Sequence, residues 1–204
     1  MMADCLVTGM SNVGKTCFVI NFAEYMGLKE LKFHVKQLEG YTSINSYTPG
    51  EARNKLISVK SNSTREVQAI KLEIPRGKTF KELKIIDSCG LSDGIHPEKE
   101  VRLAMARTIR LIRESSFVLH MIDITNINNS EHYDDVLKPI DRLIVDYASL
   151  KPNYAILLNK IDLAYARQNL EILKQSFDNI LIIPLSALYQ QGFKEVKKLV
   201  FSYV

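Results

Sequence analysis

Gly9-Met10-Ser11-Asn12-Val13-Gly14-Lys15-Thr16 decides how the rest of this chain is read. The stretch satisfies the spacing GxxxxGK[ST], and it stands between an apolar run, residues 3–8, and a helix-periodic run, residues 14–26. That flanking gives the spacing its meaning. Glycines let the backbone approach a ligand closely, so the amides of Ser11, Asn12, Val13, Gly14, Lys15, Thr16 and Cys17 converge on phosphate oxygens at a helix start. Lys15 is then the cation for β and γ oxygens, and Thr16 the hydroxyl facing a magnesium ion that bridges them.

Outward from this loop the order of strand then helix repeats. Apolar strands are expected at residues 83–87, 117–124, 154–159 and 180–184, separated by helical patterns at 98–113, 134–148, 166–177 and 192–202. Parallel neighbours need crossovers and helices supply them, so the expected architecture is α/β, a mainly parallel sheet covered on both faces. Residues 28–53, punctuated by Gly40, Asn45, Pro49 and Gly50, are expected to form one long mobile loop. Residues 55–59 and 67–74 are expected as antiparallel edge strands joined through the polar residues 61–64, with a turn at 75–78. No repeat or linker divides the chain, and residues 1–204 are expected to form a single domain without a separate effector domain.

Two further motifs fall at strand ends, the sheet edge where ligands bind. Asp87-Ser88-Cys89-Gly90 follows an apolar strand; the carboxylate of Asp87 suits magnesium held through water, and the Gly90 amide suits a γ-phosphate whose loss it would sense. Asn159-Lys160-Ile161-Asp162 selects the base. The Asp162 carboxylate accepts from guanine N1–H and the exocyclic amine together, a match adenine lacks, while Asn159 braces neighbouring loops and the Lys160 stem covers the ring. Ser186-Ala187-Leu188 offers a backbone amide to guanine O6.

Composition removes other classes. The 204 residues are 46% hydrophobic, but their apolar runs are far shorter than the roughly 20 residues a bilayer demands. Nothing at the N-terminus resembles a secretory signal, which leaves the cytoplasm as the expected address. Cys5, Cys17 and Cys89 are odd in number and widely spaced, as reduced thiols are, and His34, His96, His120 and His132 lack zinc spacing. A net charge of +4 is too small to mark a dedicated nucleic-acid binder, and Arg107, Arg110 and Arg113 read as a solvated helix face.

Taken together, GMSNVGKT, DSCG, NKID and SAL resemble, in order, the motifs of the GTPase domain, and most closely those of the Era, TrmE and EngA group. Asn12 fits that group's GxxNxGK[ST], and residues 107–123 resemble its helix-to-strand segment. The resemblance implies a three-layer Ras-like P-loop fold and a magnesium-dependent, GTP-hydrolysing switch cycling between GTP and GDP with a protein effector. Many members of that group serve ribosome assembly or tRNA modification, which brings RNA or the ribosome into view as partners. It also implies a potassium ion held by Asn12 beside the phosphates.

Two positions depart from the wider pattern. Residues 47–53 resemble the first switch segment, yet Ala52 stands where the magnesium-binding threonine is expected, with Thr48 as substitute after a register shift. Leu91 follows Gly90 where Ras-type enzymes carry a water-orienting glutamine. Glu98 or Glu100 resembles the water-positioning glutamate of TrmE, and slow hydrolysis without a partner or potassium is expected. The alternative is an interaction module that holds GTP without hydrolysing it.

Overall fold

Along strand β1 (Ala3–Thr8), Cys5 and Val7 enter one apolar cluster and Leu6 enters another on the opposite face. Burial on both faces is what a central strand of a covered parallel sheet requires. The computed structural model describes residues 3–36, 42–57, 67–92, 94, 99–128, 130, 135–164 and 166–203. After β1 come helix α1 (Lys15–Tyr25), β2 (Leu31–Lys36), β3 (Thr42–Tyr47), α2 (Pro49–Leu56), β4 (Val67–Arg76), β5 (Thr79–Asp87) and α3 (Lys99–Glu114). The second half contains β6 (Phe117–Asp123), a 3-10 turn at Ile124–Asn126, α4 (Pro139–Ala148), β7 (Tyr154–Asn159), α5 (Ala166–Ser176), β8 (Leu181–Pro184) and α6 (Phe193–Tyr203).

The strands form one eight-stranded sheet in the order β3-β2-β4-β5-β1-β6-β7-β8. From β5 to β8 all neighbours are parallel, and β3, β2 and β4 are added antiparallel. Side chains of α1, α2 and α6 share one core with the sheet, and those of α3, α4 and α5 share the other. The buried His120 of β6 is bonded to Asp141 of α4 at 2.9 Å and to the Tyr154 hydroxyl at 2.8 Å, which pins α4 to the sheet. The expected α/β three-layer fold is therefore present.

The expected long loop is not. Within residues 28–53, Leu31–Lys36 form β2, Thr42–Tyr47 form β3 and residues 49–53 begin α2, while residues 37–41 lie outside the described residues. Leu31, Phe33 and Val35 alternate and are all buried, a strand period that the surrounding Gly and Asn punctuation masked. Thr48 begins α2 through a capping box with Glu51, and Pro49 occupies a first-turn position where its missing N–H costs nothing. Of the expected strand at 55–59, Lys55 and Leu56 instead close α2 and Ile57 caps it; Ser58, Val59 and residues 61–64 lie outside the described residues.

Two boundaries also moved. β4 runs through Pro75 to Arg76, so the hairpin turn narrows to Gly77 and Lys78. Proline is tolerated there because β2 pairs only with Val67, Gln68 and Ala69, leaving the rest of β4 as an edge on that side. The helix expected from residue 134 starts at Pro139, since the residue before a proline is driven out of helical geometry, and Asp134 lies outside the described residues.

Candidate functional site

The glycine loop joins the end of β1 to α1 and brings its predicted residues together. Asn12 turns with φ 64° and Gly14 with φ 101°, the left-handed region that points successive amides the same way. Gly14 is required for a second reason: a Cβ there would come within 2.4 Å of the Asn159 amide nitrogen. That nitrogen donates to the Val13 carbonyl at 2.7 Å. Lys15 is only 6% exposed, and its Nζ donates to the carbonyls of Gly9 at 3.1 Å and Met10 at 2.6 Å. Burial lowers the Lys15 pKa, and the nearby Asp87 carboxylate opposes that fall.

Thr16 and Asp87 meet as the motifs require. The Thr16 hydroxyl donates to Asp87 Oδ2 at 2.8 Å, and Gln68 Nε2 donates to the same oxygen at 2.9 Å. Asp87 Oδ1 is buried and has no hydrogen-bond partner among the described residues. Burial raises the Asp87 pKa, against the Gln68 and Thr16 hydrogen bonds and the Lys15 charge, which lower it. A buried carboxylate with an unsatisfied oxygen, beside a hydroxyl, is a hard oxygen donor set that fits Mg2+. Gln68 lay outside every motif, and only its place on β4 opposite Asp87 reveals it.

The Asp87–Gly90 turn is zipped onto the glycine loop. Ser88 donates to Val7, Leu91 to Gly9, and Ser11 to Leu91, at 3.2, 3.1 and 3.0 Å. Gly90 is obligatory at this contact, because an added Cβ would lie 2.7 Å from the Ser11 Cα. Leu91 is buried, in keeping with a packing rather than a water-orienting part. Cys89 is buried, and burial is the main cause that lifts its thiol pKa, with the Lys15 charge opposing.

At the base end, Asn159 is 3% exposed and spans two loops: its amide holds Val13, and its Oδ1 accepts from the Ala187 N–H at 2.8 Å. Lys160, at φ 69°, pairs with Asp123, while Asp162 is exposed. Among the Ser186-Ala187-Leu188 amides, Ser186 donates to Gln191 and Ala187 to Asn159. The Leu188 amide has no such partner among the described residues. Asp123, which fixes the Lys160 ammonium, was not foreseen as a site residue.

The expected catalytic and switch residues are not gathered in the same way. Thr48 lies at the start of α2, where its hydroxyl accepts from the Glu51 N–H at 3.3 Å and bonds the Glu51 carboxylate at 2.9 Å. Ala52 is fully buried. Glu100 lies in the first turn of α3, its side chain outside what is described, and Glu98 lies outside the described residues. Arg110 and Arg113 are exposed and Arg107 is half-buried.

A family profile described as 50S ribosome-binding GTPase matches residues 4–160. Among curated proteins, GTPase Obg of Thermodesulfovibrio yellowstonii is 25% identical over 158 residues, covering 72% of this chain and 46% of that protein. GTPase Obg of Lysinibacillus sphaericus is 26% identical over 157 residues, covering 72% of this chain and 36% of its own length. The chain thus spans less than half the length of these relatives. Among solved structures, Era in complex with MgGDPNP and nucleotides 1506–1542 of 16S ribosomal RNA superposes with a TM-score of 0.63 at 19% identity, covering 99% of this chain and 56% of Era. The G domain of the T. maritima FeoB iron transporter gives 0.56 at 17% identity, covering 100% and 99%. The matched span takes in the glycine loop, the Asp87–Gly90 turn and Asn159-Lys160, and the chain belongs to the 50S ribosome-binding GTPase family, whose members are P-loop GTPases.

Proposed function

We propose that this chain is a nucleotide-controlled GTPase switch that binds GTP with magnesium, hydrolyses it slowly, and changes its affinity for a partner as it does so. The observation that carries this reading is the double role of Asn159, which ties the phosphate loop at Val13 to the base loop at Ala187 and so makes one pocket of two half-sites. Ser11 through Cys17 surround the phosphates, Asp162 selects guanine, and the Leu188 amide is the donor left for O6. Thr16 and Asp87 would hold magnesium, whose charge offsets that on the phosphate oxygens. Gly90, in contact with the glycine loop, is placed to report whether a γ-phosphate is present.

Leu91 cannot orient water, Thr48 is occupied as a helix cap, and Glu100 is the residue left to assist. Asn12, exposed beside the phosphate loop, is assigned to a potassium ion. Single-turnover phosphate release with saturating GTP and magnesium tests this. Rates on the order of 10⁻⁴ to 10⁻² per second are expected, as in the Ras and Gα cases, and faster in potassium than in sodium. Tight GTP binding with no phosphate release under either salt would leave the non-hydrolysing module, a reading favoured by the burial of Ala52 and Leu91. The Era complex with 16S ribosomal RNA makes RNA or the ribosome the partner class to test first, and a cytoplasmic setting is part of this proposal.

Asp87 gives an independent check of the metal. Asp87→Asn keeps an acceptor for Thr16 and Gln68 but removes the charge, so magnesium is expected to stop tightening GTP binding. Since burial opposes the ionised carboxylate, the nucleotide-free variant should melt no lower than the parent. Magnesium titrations of GTP affinity, read beside melting curves, decide it; an unchanged magnesium response would remove Asp87 from the metal site.

A further inference from the structure

Helix α2 and the base loop are gripped by the same two side chains of α1. Arg53 Nη1, from α2, donates to Asn21 Oδ1 at 2.9 Å and to Glu24 Oε2 at 2.7 Å, with Nη2 reaching Glu24 Oε1 at 3.4 Å. Asn21, only 2% exposed, donates through Nδ2 to the Ala187 carbonyl at 2.8 Å. Gln190 Nε2, just beyond the base loop, donates to the same Glu24 Oε2 at 3.3 Å. Ala187 is thereby held from both sides, its N–H by Asn159 and its carbonyl by Asn21. Asn21, Glu24 and Gln190 belong to no nucleotide-binding motif, and Arg53 ends the segment that resembles the first switch.

We propose that Arg53, with Glu24 and Asn21, is a latch that stores the first switch segment as helix α2 and so sets the preference between guanosine di- and triphosphate. The proposal rests on reading residues 47–53 as that switch segment. With the latch closed, Thr48 is spent on the capping box with Glu51, and Ala52 is buried against the core. For Thr48 to face magnesium and a γ-phosphate, the capping box must open and the start of α2 must unwind. Arg53 lies only five residues along an eight-residue helix, so that unwinding strains its bonds to α1. A ligand shifts such an equilibrium only by its differential affinity for the two arrangements. The closed latch therefore taxes the triphosphate and spares the diphosphate. Through Gln190 and Asn21, a base loop ordered by guanine steadies the acceptors that Arg53 needs. Arg53 is a positioning residue in this scheme.

The test is the ratio of affinities for GDP and for a non-hydrolysable GTP analogue with magnesium, measured with fluorescent nucleotides. Arg53 and Glu24 are 37% and 36% exposed, and ion pairs of that exposure have small effects, so Arg53→Ala and Glu24→Gln should each move the ratio toward the triphosphate by about two- to fivefold. The double exchange Glu24→Arg with Arg53→Glu should return the ratio toward that of the parent. Amide hydrogen exchange in α2 should rise when the GTP analogue replaces GDP in the parent. Equal changes in both affinities, with the ratio unmoved in Arg53→Ala and in the isosteric Glu24→Gln, would reduce the cluster to a brace on α1 and overturn the latch. Failure of the parent chain to bind any guanine nucleotide would instead sink the functional reading beneath it.

Discussion

Asp162→Asn is expected to cost this protein its preference for guanine over adenine nucleotides, a loss of about 1,000-fold or more in relative affinity. The carboxylate offers two acceptors, and guanine presents two donors, N1–H and the exocyclic amine, at matching spacing. An asparagine keeps one acceptor and turns a donor against the exocyclic amine, so one bond is lost and one contact becomes repulsive. Xanthine carries a carbonyl where guanine carries that amine, and it should therefore bind the variant better than guanine does. Nothing else in the site ought to move, because Asp162 is exposed while Asn159 and Lys160 keep their own partners. Competition of GDP, ADP and xanthosine diphosphate for a fluorescent nucleotide reads all three at once. An unchanged ranking in the variant would mean that Asp162 does not touch the base.

Lys15→Met should lower GTP affinity by about 100-fold or more, the scale of losing two charge-assisted hydrogen bonds to phosphate. Methionine retains most of the buried stem, so the comparison isolates the ammonium. Among the described residues that ammonium is held by the carbonyls of Gly9 and Met10, and burial presses its pKa down. It is thus held at some expense to the fold, and the nucleotide-free variant should melt no lower than the parent. Calorimetry of GTP binding together with thermal melting checks both halves. Weak binding accompanied by a large fall in melting temperature would assign Lys15 to the scaffold instead.

How far the sequence could be read depended on whether the chemistry was local. Gly14 and Lys15 were legible because the loop, the helix and the ligand-facing groups lie within a few consecutive residues. The second duty of Gly14, making room for Asn159, was not, since the two are joined only through the fold. Gln68 gave no signal at all: a glutamine in an alternating strand is an ordinary surface residue until β4 lies opposite Asp87. Asn21 and Arg53 are 32 positions apart, and Asn21 and Ala187 are 166 apart, so no spacing rule reaches them. The elements found where a long loop is expected have a different origin. The Thr48-Pro49-Gly50-Glu51 capping box is local sequence, but glycine and proline give the same signal whether they start a helix or break one. The alternation of Leu31, Phe33 and Val35 was similarly outvoted by nearby turn formers.

The hairpin of β2 and β3 gives that misread region a mechanical property. Tyr47 ends β3 and Thr48 caps α2, so the outermost strand and the proposed switch segment share a peptide bond with no slack between them. A flexible connection would absorb any unwinding of α2; a strand of six residues, about 20 Å of paired backbone, conducts it along its length. If α2 unwinds as proposed, the rim of the sheet is the part of the fold joined to it without a linker. Its outward residues Thr42, Ile44 and Ser46 are exposed, with Lys32 of β2 opposite Ser46 and the Glu30 carboxylate accepting from the Ser46 hydroxyl at 2.6 Å, so charge as well as shape marks that face.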